Sequence, residues 1–216
     1  AYSPSSADGA GDDGGERGVD GGGGTAAAAA VVGGTINVDG VEPTHMKAFI
    51  DLLGELGVDH AIEADPVDAT RKSLRVTGLP PGGAYRATNI RTQPFPGLAT
   101  DLQPSAGLML TRAAGTSTIE ETIFEDRLEW LVGLRGFGAQ VEIVDPRTAR
   151  VTGPTTFRAA EAEIPDLRAG ATLMLAALAA PGASRIHGAH HVRRGYEGIE
   201  GKLLDLGAGI EEEPEA

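Results

Sequence analysis

An apolar residue followed by glycine closes three amphipathic stretches of this chain, at Leu56-Gly57, Phe137-Gly138 and Leu206-Gly207. Glycine is the residue best suited to the left-handed conformation that stops a helix, so each pair reads as a helix end. Each is preceded at a nearly constant interval by another glycine: 23 residues from Gly34 to Gly57, 23 from Gly115 to Gly138 and 25 from Gly182 to Gly207. The first copy reads as a helix to Gly33-Gly34, a strand Thr35 to Val38, a helix through Phe49, Leu52, Leu53 and Leu56, and a strand His60 to Ile62. The second reads as a helix through Leu108-Met109-Leu110 stopped by Gly115-Thr116, a strand Ser117 to Ile119, a helix with Leu128, Trp130, Leu131 and Leu134, then strands Gln140 to Ile143 and Ala149 to Val151. The third has a helix Thr172 to Leu178, strand residues Arg185-Ile186 and a helix ending at Leu206. The recurrence predicts an α/β fold of three helix-strand-helix-strand-strand units with pseudo-threefold symmetry, in repeats of about 25–90, 91–160 and 161–212.

Composition narrows the function classes. The chain of 216 residues carries a formal charge of −13, which excludes a generic basic surface for nucleic acid or anionic membrane. It contains no cysteine, and therefore no disulfide framework, thiolate metal site or cysteine nucleophile. No apolar run approaches the roughly 18 residues of a membrane span. Residues 1–24 are rich in glycine, serine and aspartate and are expected to be a disordered insertion or linker. The run Gly21 to Gly24 is not a phosphate loop, because no Gly-Lys-Ser/Thr follows it. The first copy, opening only at Thr25, is expected to be truncated, and the chain is expected to be partial.

Aligning the copies places polar residues in register at helix starts. Asp101 in Thr100-Asp101-Leu102-Gln103 matches Asp166 in Pro165-Asp166-Leu167-Arg168, which sets Gln103 opposite Arg168. Arg127 lies 12 residues after Gly115 and Arg194 lies 12 after Gly182, with Met46 at that position in the first copy. An arginine at a helix N-terminus opposes the macrodipole unless an anion sits nearby. Arg127, Arg168 and Arg194 together would suit a phosphate or carboxylate. The plainer alternative pairs each with Glu125, Asp166 or Glu197. Thr100 or Asp101 would on the plainer reading cap a helix whose first turn holds Pro104. His187, His190 and His191 lack an acidic or cysteine partner at ligand spacing and read as turn or strand histidines; no metal is expected. Trp130 reads as core.

The segments RTQPFPGLATDLQP, GTSTIEETIFEDRLEWL, IPDLRAGATLMLAAL and RRGYEGIEGKLLDLGAGIE resemble the C-terminal half of the enolpyruvyl transferases, closest to the UDP-N-acetylglucosamine 1-carboxyvinyltransferases. The resemblance covers about Thr25 to Glu212. It implies one inside-out α/β barrel domain of three repeats, facing a second such domain across a cleft. It implies transfer of enolpyruvate from phosphoenolpyruvate to the 3′-hydroxyl of UDP-N-acetylglucosamine by addition and elimination of phosphate, with no cofactor. By the same resemblance Asp101 takes the sugar-hydroxyl proton, Ile123 and Phe124 line the sugar-nucleotide site, and Arg127, Arg168 and Arg194 face phosphoenolpyruvate. An N-terminal domain is the implied partner, without which the isolated half is inactive. Peptidoglycan precursor synthesis implies the cytoplasm, with a plastid as the alternative.

Two departures concern local pairing. The family pattern Glu-Asn-Arg-Phe reads Glu125-Asp126-Arg127-Leu128 here, and Arg193 stands where an aspartate is common before the residue matching Arg194. Two other functions compete: a non-catalytic domain that binds a nucleotide sugar or another anion, and the sister transferase acting on shikimate 3-phosphate.

Overall fold

A computed structural model describes residues 17–211 other than 69, 81, 194–195, 197 and 206, and the side chains of 17–21, 168 and 205 fall outside that description. The first unit comprises α1 (Arg17–Val32), β1 (Thr35–Val41), α2 (Lys47–Leu56), β2 (Asp59–Ala64) and β3 (Lys72–Thr77). Short strands β4 (Tyr85–Arg86) and β5 (Ile90–Arg91) lead into the second unit. That unit comprises α3 (Gln103–Leu110), β6 (Ala113–Glu120), α4 (Trp130–Leu134), β7 (Gln140–Asp145) and β8 (Thr148–Gly153). The third holds β9 (Glu161–Glu163), α5 (Leu167–Ala179), β10 (Arg185–His187), α6 (His190–Arg193) and α7 (Ile199–Asp205).

The opening helices of the three units, α1, α3 and α5, pack on one another in the centre, and the sheets lie outside them. The first sheet is antiparallel in the order β1-β3-β2. The second runs β4-β6-β8-β7, with β5 also pairing in parallel with β6. In the third unit β9 and β10 form a parallel pair, and no closing hairpin occurs among the described residues. Period-2 alternation explains the sheet faces: Ser117 and Ile119 of β6 and Ala149 and Val151 of β8 point inward and are fully buried.

The glycine turns that follow α2, α4 and α7 are equivalent down to their hydrogen bonds, although α4 itself ends at Leu134 and not at Phe137. The amides of Gly57, Gly138 and Gly207 bond the carbonyls of Gly54, Arg135 and Leu204, and the following amides, of Val58, Ala139 and Ala208, reach back to Leu53, Leu134 and Leu203. All three glycines have positive φ, at 81°, 99° and 91°. Arginines cap two of these ends again: Arg86 Nε and Nη2 donate to the Glu55 and Gly54 carbonyls, and Arg158 Nε donates to Gly136.

Several boundaries differ from the sequence-based expectation: α4 runs only from Trp130 to Leu134, so Arg127 lies in the loop before it and not at its start, and α5 begins at Leu167 and not at Thr172. Helix α1 begins at Arg17, so the segment expected to be disordered is helical from residue 17, and the first unit is not truncated at Thr25. Each interior glycine costs about 1 kcal/mol of intrinsic helix stability, which tertiary packing here overrides. Gly22 and Gly23 lie against Met46 and Leu102, and Ala26, Ala27, Ala29 and Ala30 are at most 1% exposed. Small residues let the central helices approach. Gly115 does not stop the second unit's opening helix, which ends at Leu110; Gly115 belongs to β6, opposite Gly153. The turn between is closed by Thr111, whose Oγ1 donates to the Leu108 carbonyl.

Candidate active site

The residues singled out at Asp101 and Arg127 meet at one end of the central helices. Arg127 Nη1 lies 3.2 Å from Asp101 Oδ1 and 3.1 Å from Thr100 Oγ1, and its guanidinium sits 4.2 Å from the centroid of the Phe124 ring. The pair is partly open to solvent, with side-chain exposures of 26% for Arg127 and 36% for Asp101. Thr100 and Asp101 do not cap α3: its N-cap is Leu102, without a side-chain cap hydrogen bond, and Pro104 sits in the first turn as expected. Glu125 is not the partner of Arg127 either. It pairs with Arg147 at 3.1 Å. The physical reason for both corrections is tertiary: the 121–127 loop folds back against the turn before α3.

Asp166, the counterpart of Asp101 in the third unit, does act as a cap, accepting from the Ala169 amide at 2.9 Å through Oδ1. Thr100, Gln103, Arg127, Trp130, Pro165 and Asp166 line a hollow of about 130 Å³ where the starts of α3, α4 and α5 converge. Ligand pockets usually run to roughly 300–1,000 Å³, so this hollow has the size of one wall of a site. A wider, shallower hollow of about 460 Å³ on β7 and β8 is lined by charged groups that satisfy one another, such as Arg150 with Glu142 at 3.1 Å.

Arg168 occupies the first turn of α5, and its side chain is outside the described residues, as is Arg194 altogether. Of the residues named from the sequence, Asp101, Phe124 and Arg127 are brought together, and Ile123 is half-buried; the shared register of Arg127, Arg168 and Arg194 lies outside the described residues. Trp130 is core, at 6% exposure, and its Nε1 donates to Gln103 Oε1 at 2.8 Å. His187 lies in β10 against Glu161, 2.6 Å away, whereas His190 and His191 are helical rather than in a turn or strand.

One residue escaped the sequence reading. Glu121 is fully buried, and its carboxylate accepts from Thr92 Oγ1, Thr100 Oγ1, Gln103 Nε2 and the amides of Ile123 and Phe124. The signal was present: Ser117, Ile119 and Glu121 share one strand parity, which puts Glu121 on the inward face.

Asp126, where the family pattern has asparagine, has φ 57°. Left-handed backbone costs most residues about 1–2 kcal/mol, and asparagine and aspartate tolerate it best. Its amide bonds the Pro146 carbonyl at 3.1 Å, which pins the turn that aims Arg127. Asp126→Asn is expected to leave the melting temperature within error, and Asp126→Ala to lower it by a few degrees. Thermal unfolding followed by circular dichroism measures both; an equal fall in the two would remove backbone strain as the reason.

The family model for EPSP synthase (3-phosphoshikimate 1-carboxyvinyltransferase) matches residues 23–203. The chain belongs to this family. It is 40% identical over 180 residues to UDP-N-acetylglucosamine 1-carboxyvinyltransferase 3 of Symbiobacterium thermophilum, which covers 83% of the chain and 40% of that protein. It is 39% identical over 178 residues to the corresponding enzyme 1 of Caldanaerobacter subterraneus subsp. tengcongensis, again covering 40% of its length. The chain thus spans about two-fifths of these relatives. Among solved structures, the enolpyruvyl transferase NikO from Streptomyces tendae superposes with a TM-score of 0.77 at 26% identity, over 88% of the chain and 43% of NikO. EPSP synthase from Acinetobacter baumannii superposes with a TM-score of 0.65 at 16% identity, over 89% of the chain and 46% of that structure, which speaks to fold alone. The inside-out α/β arrangement of an enolpyruvyl transferase domain is therefore the fold of this chain.

Proposed function

We propose that this chain supplies one wall of the active site of an enzyme that transfers enolpyruvate from phosphoenolpyruvate to the 3′-hydroxyl of UDP-N-acetylglucosamine. The remaining part of the relatives' length, in the same or another chain, completes the cleft as the N-terminal domain. The observation that carries the reading is the Asp101–Arg127 pair, whose arginine lines the hollow between the second and third units. Asp101 is the general base for the sugar hydroxyl, a task that requires a carboxylate within hydrogen-bond reach of the proton. Arg127, with Arg168 and Arg194, neutralises the phosphate and carboxylate of phosphoenolpyruvate through fixed charge. Ile123 and Phe124 border the sugar nucleotide.

The amino-sugar relatives, at up to 40% identity, favour this acceptor over shikimate 3-phosphate. A pure anion binder would have no use for a carboxylate placed against the cation that holds the anion. No helix of the described residues is long and apolar enough to cross a membrane. The assigned reaction belongs to peptidoglycan precursor synthesis, and with it to cell-wall growth, shape and division in the cytoplasm. The test is phosphate release from phosphoenolpyruvate by this chain joined to a family N-terminal domain. Release with UDP-N-acetylglucosamine is expected; release only with shikimate 3-phosphate would assign the sister reaction. Binding of the sugar nucleotide by the assembled domains without release would leave a binding domain.

A further inference from the structure

We propose that Glu121 is a positioning residue: it sets the direction of the Thr100 hydroxyl proton and thereby holds Arg127 against Asp101. The catalytic part of this claim rests on the enolpyruvyl transfer proposed above. A carboxylate only accepts hydrogen bonds, and five donors occupy this one. Oε1 receives Thr92 Oγ1 at 2.8 Å, the Ile123 amide at 2.9 Å and the Phe124 amide at 3.2 Å. Oε2 receives Thr100 Oγ1 at 2.9 Å and Gln103 Nε2 at 3.4 Å. The side chain is fully buried, and no ion pair to it occurs among the described residues.

The Thr100 hydroxyl has a single proton, and Glu121 takes it. A lone pair of Thr100 Oγ1 therefore faces Arg127 Nη1, 3.1 Å away, and the same nitrogen reaches Asp101 Oδ1 at 3.2 Å. Gln103 cannot turn its amide round to serve instead, because Trp130 Nε1 donates to its Oε1 at 2.8 Å. Proton direction thus runs one way from the buried carboxylate to the open pair.

The isosteric change Glu121→Gln separates this role from loop anchoring. The amides of Ile123 and Phe124 are fixed donors, so the new carboxamide must turn its oxygen to them and its NH2 toward Thr100. Thr100 then accepts from that NH2, and its own proton loses the acceptor that kept a lone pair turned to Arg127, while Gln103 Nε2, held by Trp130, meets the new NH2 donor against donor. A crystal structure of Glu121→Gln in this chain is expected to show Arg127 Nη1 moved out of hydrogen-bond range of Thr100 Oγ1 with the 121–124 backbone in place. Arg127 unmoved would overturn the proposal. In the active assembly, Glu121→Gln and Thr100→Val are each expected to lower kcat by up to about 10²-fold, with the double variant no worse than the single ones. Losses that multiply in the double variant would mean independent roles and overturn it as well. Should Glu121→Gln not fold, Thr100→Val leaves every other donor to Glu121 untouched; an unmoved Arg127 and unchanged kcat in that variant would also overturn the proposal. Absence of phosphate release by the unaltered assembly would reject the reaction, while the displacement of Arg127 would still decide the positioning claim.

Discussion

Replacing Asp101 with alanine in the active assembly is expected to lower kcat by about 10²–10⁴-fold, the range a general base supplies. Alanine removes two things at once, the proton acceptor and the Oδ1 partner of Arg127 at 3.2 Å. Asp101→Asn distinguishes them, because its amide oxygen still accepts from Arg127 while its basicity is lost. If proton abstraction dominates, the asparagine variant is as slow as the alanine variant, and both bind UDP-N-acetylglucosamine with Kd close to the parent by titration calorimetry. Near-full turnover in Asp101→Asn would reassign Asp101 as a clamp on Arg127. The partial openness of the pair suits this chemistry, since a base sealed in the core could not meet substrate.

Gly153→Ala is expected to destabilise the fold by about 3 kcal/mol. A Cβ at Gly153 would stand 2.5 Å from the Thr111 carbonyl oxygen and 2.6 Å from that of Ala113, both backbone atoms that no rotamer change can clear. Overpacking a well-filled core costs typically 1–3 kcal/mol and occasionally more. A domain's whole margin is about 5–15 kcal/mol. The same design recurs in the first unit, where a Cβ on Gly78, just beyond β3, would meet the Ala29 carbonyl of α1 and the Gly33 Cα. In both units the end of the third strand presses on the end of the unit's central helix. Urea unfolding of Gly153→Ala and Gly78→Ala measures the effect, with loss in both expected. A Gly153→Ala midpoint equal to that of the parent would show that β8 can shift away from the helix end at little cost.

The positions read correctly from sequence are those whose cause is local. Leu56-Gly57 announces a helix end, and Phe137-Gly138 the left-handed turn shortly after one, because an apolar residue must pack inward while the next backbone unit turns left-handed, and both requirements lie within a few residues. Strands at Thr35, Gln140 and Arg185 start at the expected places for the same reason. Gly115 misled because its positive φ, 118°, resembles a helix stop, yet it lies within β6 opposite Gly153.

The order of helices and strands in the first two units and the place of Asp101 just ahead of α3 were thus legible in the sequence alone, since periodic burial and glycine placement encode them directly; Arg127, expected to open a helix, lies instead in the loop three residues before α4 begins at Trp130. Tertiary structure decided the rest. It made a helix of the glycine-rich segment from residue 17, because packing of Gly22, Gly23 and the alanines against neighbouring elements outweighs poor propensity. It turned Asp101 from a cap into the partner of Arg127, and it buried Glu121 beneath them. Those outcomes depend on the 121–127 loop closing over the turn at Thr100, across hydrogen bonds between groups 21 and 26 residues apart in the chain.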